Sequence, residues 1–285
     1  RPGDTIAIES PTYFGILQIL EVLGLKALEI PTSPRDGLSL EALDLATQKP
    51  GAVKALVVMP TVQNPLGAIM PEASRERLVQ MMQARGIAII EDDIYGELAH
   101  GRARPRPLKS WDREGNVLLC GSFTKVLAPG FRIGYLAAGK WQEKVEHLKF
   151  VHTVSTSEVL QRAIAEFMES GGYDHHLRHL REAFHSQLCK TTETVERHFP
   201  AGTRLTRPAG GFLLWVELPD GLSGLRLFER ALAENIYIVP GSIFSGSDRF
   251  DHCLRINCGY PWSAEIEQAL ATLGRLCHEM LTLKS

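Results

Sequence analysis

Several things are missing from this sequence, and each absence narrows what it can be. No apolar run approaches the roughly 20 residues needed to cross a bilayer, and no signal-peptide pattern opens the chain. There is no GxGxxG and no GxxxxGK followed by Ser or Thr, so the common glycine-rich dinucleotide and phosphate loops are absent. The five cysteines (Cys120, Cys189, Cys253, Cys258, Cys277) are scattered, odd in number and without a CxxC pair. They read as reduced, mostly buried thiols of a cytoplasmic protein, and no metal site is expected. A net charge of −2 argues against a chain built mainly to hold polyanions, though it leaves room for a local basic patch. Nothing reads as a helix-turn-helix with a basic recognition helix. There is also no initiator Met: Arg1-Pro2-Gly3-Asp4 runs straight into an apolar stretch, and an upstream part is expected to be missing.

What is present is ordinary globular material. The 285 residues are 44% hydrophobic and 22% charged, enough for a substantial core divided between two lobes. Short, nearly continuous apolar runs predict strands at 5–9, 27–30, 55–59, 87–91, 117–120 and 134–138. Helical patterns lie among them at 13–23, 40–47 and 72–85, the last closed by Gly86 as C-cap glycine. That alternation predicts an α/β architecture, with a mostly parallel sheet covered on both faces. Long helices are predicted at 142–152, 157–170 and 174–198. A smaller α+β lobe follows, with strands at 212–217, 236–239 and 253–257 and a closing helix from 263 to about 281. The division is expected at 1–170 and 171–285.

Ligand groups in α/β sheets gather at the carboxyl ends of strands. Here those ends carry Ser10-Pro11-Thr12-Tyr13, Gln63-Asn64-Pro65-Leu66-Gly67, Glu91-Asp92-Asp93-Ile94-Tyr95 and Gly121-Ser122-Phe123-Thr124-Lys125, with Leu254-Arg255-Ile256-Asn257 late in the chain. Each has an ordinary explanation alone: turn chemistry for Asn-Pro, a helix cap for the Asp pair, a buried ion pair for Arg255. An amine with a hydroxyl three residues before it and a guanidinium seven after it (Ser122, Lys125, Arg132) suits a carbonyl held as an imine while an attached phosphate is gripped. Asp93 and Glu97 are read as cap or surface acids. His175, His176 and His179 are read as a solvated helix face, with no acidic or cysteine partner at ligand spacing.

Taken together, QNPLG, EDDIYGEL, SFTKVLAPGFRIGY, PAGGFLLWVELP, VPGSIF and LRINCG resemble the fold type I, class I/II aminotransferases that use pyridoxal 5′-phosphate (PLP). The variants ESPTYFGIL, QNPLGAIMP and RPRPLKSWD are most similar to the aminotransferase-like domain of MocR-type, GntR-family regulators, and the likeness runs from about Pro2 to Leu281. The resemblance implies an aspartate aminotransferase-like fold and a PLP site where the two lobes meet. It implies that Lys125 forms the Schiff base and then moves the substrate proton, with its ε-amino group buried opposite an acid. By the same resemblance Asp92 meets the pyridine nitrogen, Asn64 and Tyr95 bond the ring oxygen, and Tyr13 stacks on the ring. Ser122 and Arg132 hold the phosphate. Arg255, with Asn64, takes the substrate carboxylate. The Gly210-Gly211 pair lets the backbone of the small lobe pass close to the site.

Two family elements are not in these residues: the small-residue loop that donates N–H groups to the phosphate, and the N-terminal segment that closes the pocket. The winged helix of the regulators is also absent. The leading reading is the effector domain of a cytoplasmic, homodimeric transcriptional regulator that senses an amino acid or amine, with DNA contacted only through an upstream winged helix. The alternative is a free-standing aminotransferase passing an amino group between an amino acid and a 2-oxo acid. Whether transamination is physiological is left open, and other PLP reactions such as β-elimination or acyl-CoA condensation share the same residue set.

Overall fold

Short apolar runs with helices between them can bury both faces only by stacking side by side, and that is how the first half of the chain folds. The computed structural model describes residues 1–101 and 103–283. In chain order the first half comprises β1 (Thr5–Ser10), α1 (Phe14–Val22), β2 (Lys26–Ser33), β3 (Gly37–Leu38), α2 (Leu40–Ala46), β4 (Ala55–Val58), α3 (Glu72–Ala84), β5 (Ala88–Asp92), β6 (Val117–Ser122) and β7 (Gly134–Ala137). They form one seven-stranded sheet in the order β3-β2-β1-β4-β5-β6-β7. Strands β2, β1, β4, β5 and β6 run parallel, while β3 and β7 close the edges antiparallel. Leu43, Leu56, Leu78, Met82 and Ile89 pack α2 and α3 onto one face. Ile8 and Leu20 bring α1 onto the other.

The chain then runs through α4 (Gln142–Thr153), α5 (Glu158–Glu169) and α6 (Gly172–His198). A second sheet follows, from β8 (Arg204–Leu205), β9 (Leu213–Glu217), β10 (Val239–Pro240) and β11 (Cys253–Asn257), with α7 (Gly224–Ala233) and α8 (Ala264–Thr282) on it. It is antiparallel, in the order β10-β11-β9-β8. Its core joins Leu188 and Val195 of α6 to Leu227 of α7, Leu273 and Leu276 of α8, and Leu214, Val216 and Leu254 of the sheet. Ser39, Ser223 and Ser263 each accept a hydrogen bond from a backbone N–H of the first turn of α2, α7 and α8. Gly86 takes φ +64° after α3, the left-handed residue expected there.

The longer elements follow the sequence expectation with four differences, two of them the short strands β3 and β8, which were unassigned from sequence. Residues 224–233, unassigned from sequence, form α7, whose buried Leu227 and Ala231 lie one turn apart. The strand expected at 236–239 is reduced to Val239–Pro240, because the chain spends the preceding residues leaving α7. Asn235 turns with φ +59°, and the Ile236 N–H bonds back to the Ala231 carbonyl.

Main-chain links tie the two sheets together. Ala99 bridges Gly210, the Gly211 N–H donates to the Leu98 carbonyl at 2.9 Å, and the Thr12 N–H donates to the Phe244 carbonyl at 2.9 Å. Glu29 on β2 accepts from the Ser10 hydroxyl, the Ser245 hydroxyl and the Gly246 N–H. Among the described residues no helix is long and apolar enough to cross a membrane.

Candidate active site

After β1 the chain builds β2 on one side and later returns to lay β4 on the other. The carboxyl ends of β1 and β4 therefore flank the point where strand order reverses, the usual ligand position in an open α/β sheet. Glu9 stands near the end of β1, Met59 and Asn64 follow β4, and Asp92 ends β5. These residues line one small cavity with Thr12 and Tyr13.

The loop after β4 is fixed by Gln63. Its amide donates to the Pro11 carbonyl at 2.8 Å and its oxygen accepts the Leu66 N–H at 2.9 Å. Asn64 is thereby held with its oxygen toward the second sheet, where it accepts from Nη1 of Arg255 at 3.0 Å. Arg255 lies in β11 opposite Trp215, its guanidinium 5.1 Å from the centre of the Phe244 ring. No acid pairs with it among the described residues, and its buried Nε has no partner. Burial, set against the neighbouring Tyr95 and Tyr13, lowers its pKa. The buried ion pair that Arg255 suggested on sequence is therefore not its role; half of its fork is free for an anion.

Asp92 is half-buried, and among the described residues only the Ile94 N–H donates to it, at 3.2 Å. Desolvation pushes its pKa up to about 6 against the effect of that hydrogen bond. Tyr95 is buried beside Arg255, Asp92 and Tyr13, and desolvation pushes its phenol up to about 12. Its ring meets Phe212 edge-on at 5.7 Å.

Lys125 follows β6 at the same edge, but it is exposed rather than buried opposite an acid. It lines a neighbouring cavity of about 350 Å³ with Thr124, Phe212, Asn257 and Tyr260. The reason is local. The segment after β6 turns back into β7, so its tip stands clear of the strand ends; the Phe123 N–H bonds the Ile133 carbonyl at 3.0 Å. Phe212, which lines this lysine-side cavity, also packs against the Tyr95 ring. In the same turn Ser122 Oγ accepts the Thr124 N–H at 3.1 Å, and exposed Arg132, at φ +53°, reaches Thr124 Oγ1 at 3.4 Å. Tyr13, Asn64, Asp92, Tyr95 and Arg255 thus form one contiguous group, with Lys125, Ser122 and Arg132 on the adjoining turn.

Two other sequence readings need correction. Asp93 is neither cap nor surface acid: its side chain is fully buried and paired with Arg104. Glu97 joins them, 2.7 Å from Arg104 and 3.5 Å from Arg181. The Arg-Pro-Arg loop folds back over the strand end and brings the cation. Of the three histidines, His175 and His179 are exposed, but His176 turns inward and its Nε2 meets the Val126 carbonyl at 3.0 Å, bracing the lysine turn. Glu9 and Phe212 were not singled out on sequence. A single acid at the buried end of an apolar strand was the available signal for Glu9.

This fold and edge constellation are those of the PLP-dependent aminotransferases, and residues 1–273 match the family described as aminotransferase class I and II. The chain belongs to that family. Its curated relatives include the HTH-type transcriptional regulators YjiR and YdcR of Escherichia coli (strain K12), each 40% identical over 281 residues. The chain spans 99% of itself but 60% of either regulator. Aromatic-amino-acid aminotransferase 1 of Thermococcus litoralis is 32% identical, over 98% of this chain and 68% of that one. Among solved structures, LysN of Thermus thermophilus, an α-aminoadipate aminotransferase complexed with N-(5′-phosphopyridoxyl)-L-leucine, superposes with a TM-score of 0.92 at 32% identity, covering 99% of this chain and 72% of that one.

The cofactor the family implies is PLP, and the residues here fit it. An acid with a single backbone donor, a half-free buried guanidinium, a buried phenol and an exposed amine are the groups its ring nitrogen, its substrate, its ring oxygen and its aldehyde would call for.

Proposed function

We propose that this chain is the ligand-sensing, aminotransferase-like part of a transcriptional regulator, holding PLP covalently through Lys125 and an amino acid or amine beside it. The carrying observation is Arg255: a half-buried guanidinium tied to Asn64, with no acid to neutralise it among the described residues and its Nε without a partner. When bound, PLP supplies a sink for the electron pair released at the substrate α-carbon. The chain's residues do the rest. Arg255 and Asn64 fix the carboxylate, Asp92 holds a proton at the ring nitrogen, and Tyr95 and Asn64 bond the ring oxygen. Tyr13 covers the ring, Ser122 and Arg132 take the phosphate, and the Lys125 amine carries the proton to and from the α-carbon. We divide these roles between residues 1–170, which carry the cofactor, and 171–285, which bring Arg255. The support is that α5 ends at Glu169 and that the second core draws only on residues from α6 onward.

Hydride reduction of the PLP-loaded full-length protein, followed by peptide mass spectrometry, should find the adduct on Lys125 and lose it in Lys125→Ala. An adduct elsewhere, or none, would overturn the reading. A free-standing aminotransferase is the second reading, favoured by the 32% identity to enzymes of known reaction. It predicts that common amino acids convert the bound cofactor to its amine form. An upstream reading frame without a winged helix would decide for it. A cytoplasmic homodimer accompanies either reading; the exposed Phe150, Val151 and Val154 of the α4 region support the dimer, and sedimentation tests it.

A further inference from the structure

Glu9 is a buried acid that none of these roles uses. It is 3% exposed, near the end of β1. One carboxyl oxygen, Oε2, accepts the Met59 N–H at 2.9 Å, while Oε1 is buried without a partner. The groups facing it are few: the Met59 N–H, the Gln63 amide and the Asp92 carboxylate. Among the described residues no Lys, Arg or His pairs with it. The cavity it shares with Asp92, Asn64 and Tyr13 has about 10 Å³ of room, the space of one water. On the far side Asp92 has a single backbone donor and acceptor capacity to spare.

Two carboxylates facing one small cavity cannot both hold their charge cheaply. Desolvation pushes Glu9 up to about 8 and Asp92 only to about 6, so near neutrality the proton belongs on Glu9 and the charge on Asp92. A protonated carboxyl has one O–H to give, and Oε1 is the oxygen free to give it. We propose that Glu9 is a positioning acid for Asp92, donating its proton across this cavity, directly or through one water, so that a single oriented negative charge meets the ring nitrogen. The inference rests on the reading that Asp92 is the ring's partner.

The test uses the full-length protein with PLP. Hydride trapping on Lys125 comes first, because its failure would sink the proposed function and leave the Glu9 question to the apo protein. Absorbance of the bound cofactor is then titrated with pH in wild type, Glu9→Gln and Glu9→Leu. Gln reproduces the protonated acid, an acceptor for Met59 and a donor for Asp92, so its midpoint should stay near wild type. Leu lacks the donor and should move the midpoint by about one pH unit. A Glu9 that served only to anchor Met59 would leave the midpoint unmoved in Leu, and an ionised Glu9 would make Gln shift as far as Leu; either result overturns the proposal.

The apo protein gives an independent reading, which also covers a Leu variant that fails to fold. Because the folded pKa of Glu9 lies above the ordinary 4.5, its contribution to stability is intact below about 4.5 and is lost as pH rises toward 8. Denaturant unfolding at pH 5 and pH 8 should therefore show wild type losing stability over that interval and Glu9→Gln losing measurably less. An equal loss in both would overturn the proposal.

Discussion

Arg255 shows what one residue can decide. Its charge alone would be served by lysine, but only a planar fork can keep Asn64 on one edge while taking a carboxylate with the other. Arg255→Lys should weaken binding of α-amino acids by about 10- to 100-fold and leave amines without a carboxylate little changed, read by titrating the cofactor absorbance. Asp92 sets function against stability. Its folded pKa of about 6 lies above the ordinary 3.8, so its contribution to stability is whole below about 3.8 and falls away as pH rises through 6. Asp92→Asn should make the apo protein more stable than wild type at pH 7–8, with little difference near pH 4, while cofactor-dependent turnover falls by roughly 100-fold or more. Unfolding at the two pH values and a half-reaction assay check both sides. Such polar residues were legible in the sequence because together, at successive strand ends, they match the family's motifs, although each alone had an ordinary explanation. Glu9 was not, because one acid in an apolar strand looks like ordinary alternation until its neighbour across the sheet is known.

At the scale of elements, strand ends were legible and partnerships were not. The runs that became β1, β4, β5 and β6 carry their own apolar signal, so the edge where Asp92 and Lys125 stand followed from them. Asp93 and Glu97 found buried or half-buried cations because Arg104 comes from a loop and Arg181 from α6, separations no local pattern encodes. The exposure of Lys125 depends on the turn into β7, which the motif does not specify. Gly210 is the converse case, where the glycine pair was read correctly as a close approach. A Cβ there would lie 2.6 Å from the Leu98 carbonyl oxygen and 2.8 Å from the Ala99 Cα, backbone atoms that cannot step aside. Gly210→Ala should cost on the order of 2 kcal/mol in denaturant unfolding, and should loosen the Tyr95 segment enough to weaken PLP binding, measured by equilibrium dialysis.

Across the whole molecule, two sheets are joined by shared apolar clusters, in which Tyr95 and Leu98 pack with Phe184 and Leu213 and Leu66 packs with Trp215 and Phe244, and by a small number of polar ties. Glu29 makes three of them, to Ser10, Ser245 and Gly246. Glu29→Ala should leave each core intact while freeing the loop after Phe244, so limited proteolysis should cut that loop faster with only a modest change in unfolding midpoint; unaltered cleavage would count against the tie. Because Ser245 lies 216 residues beyond Glu29, ribosomal synthesis leaves this carboxylate without its Ser245 and Gly246 partners until that loop has emerged. The first sheet can assemble early, but its seam with the second stays open until the later sheet is made, and a chaperone that lingers on nascent chains would meet this protein at that open seam.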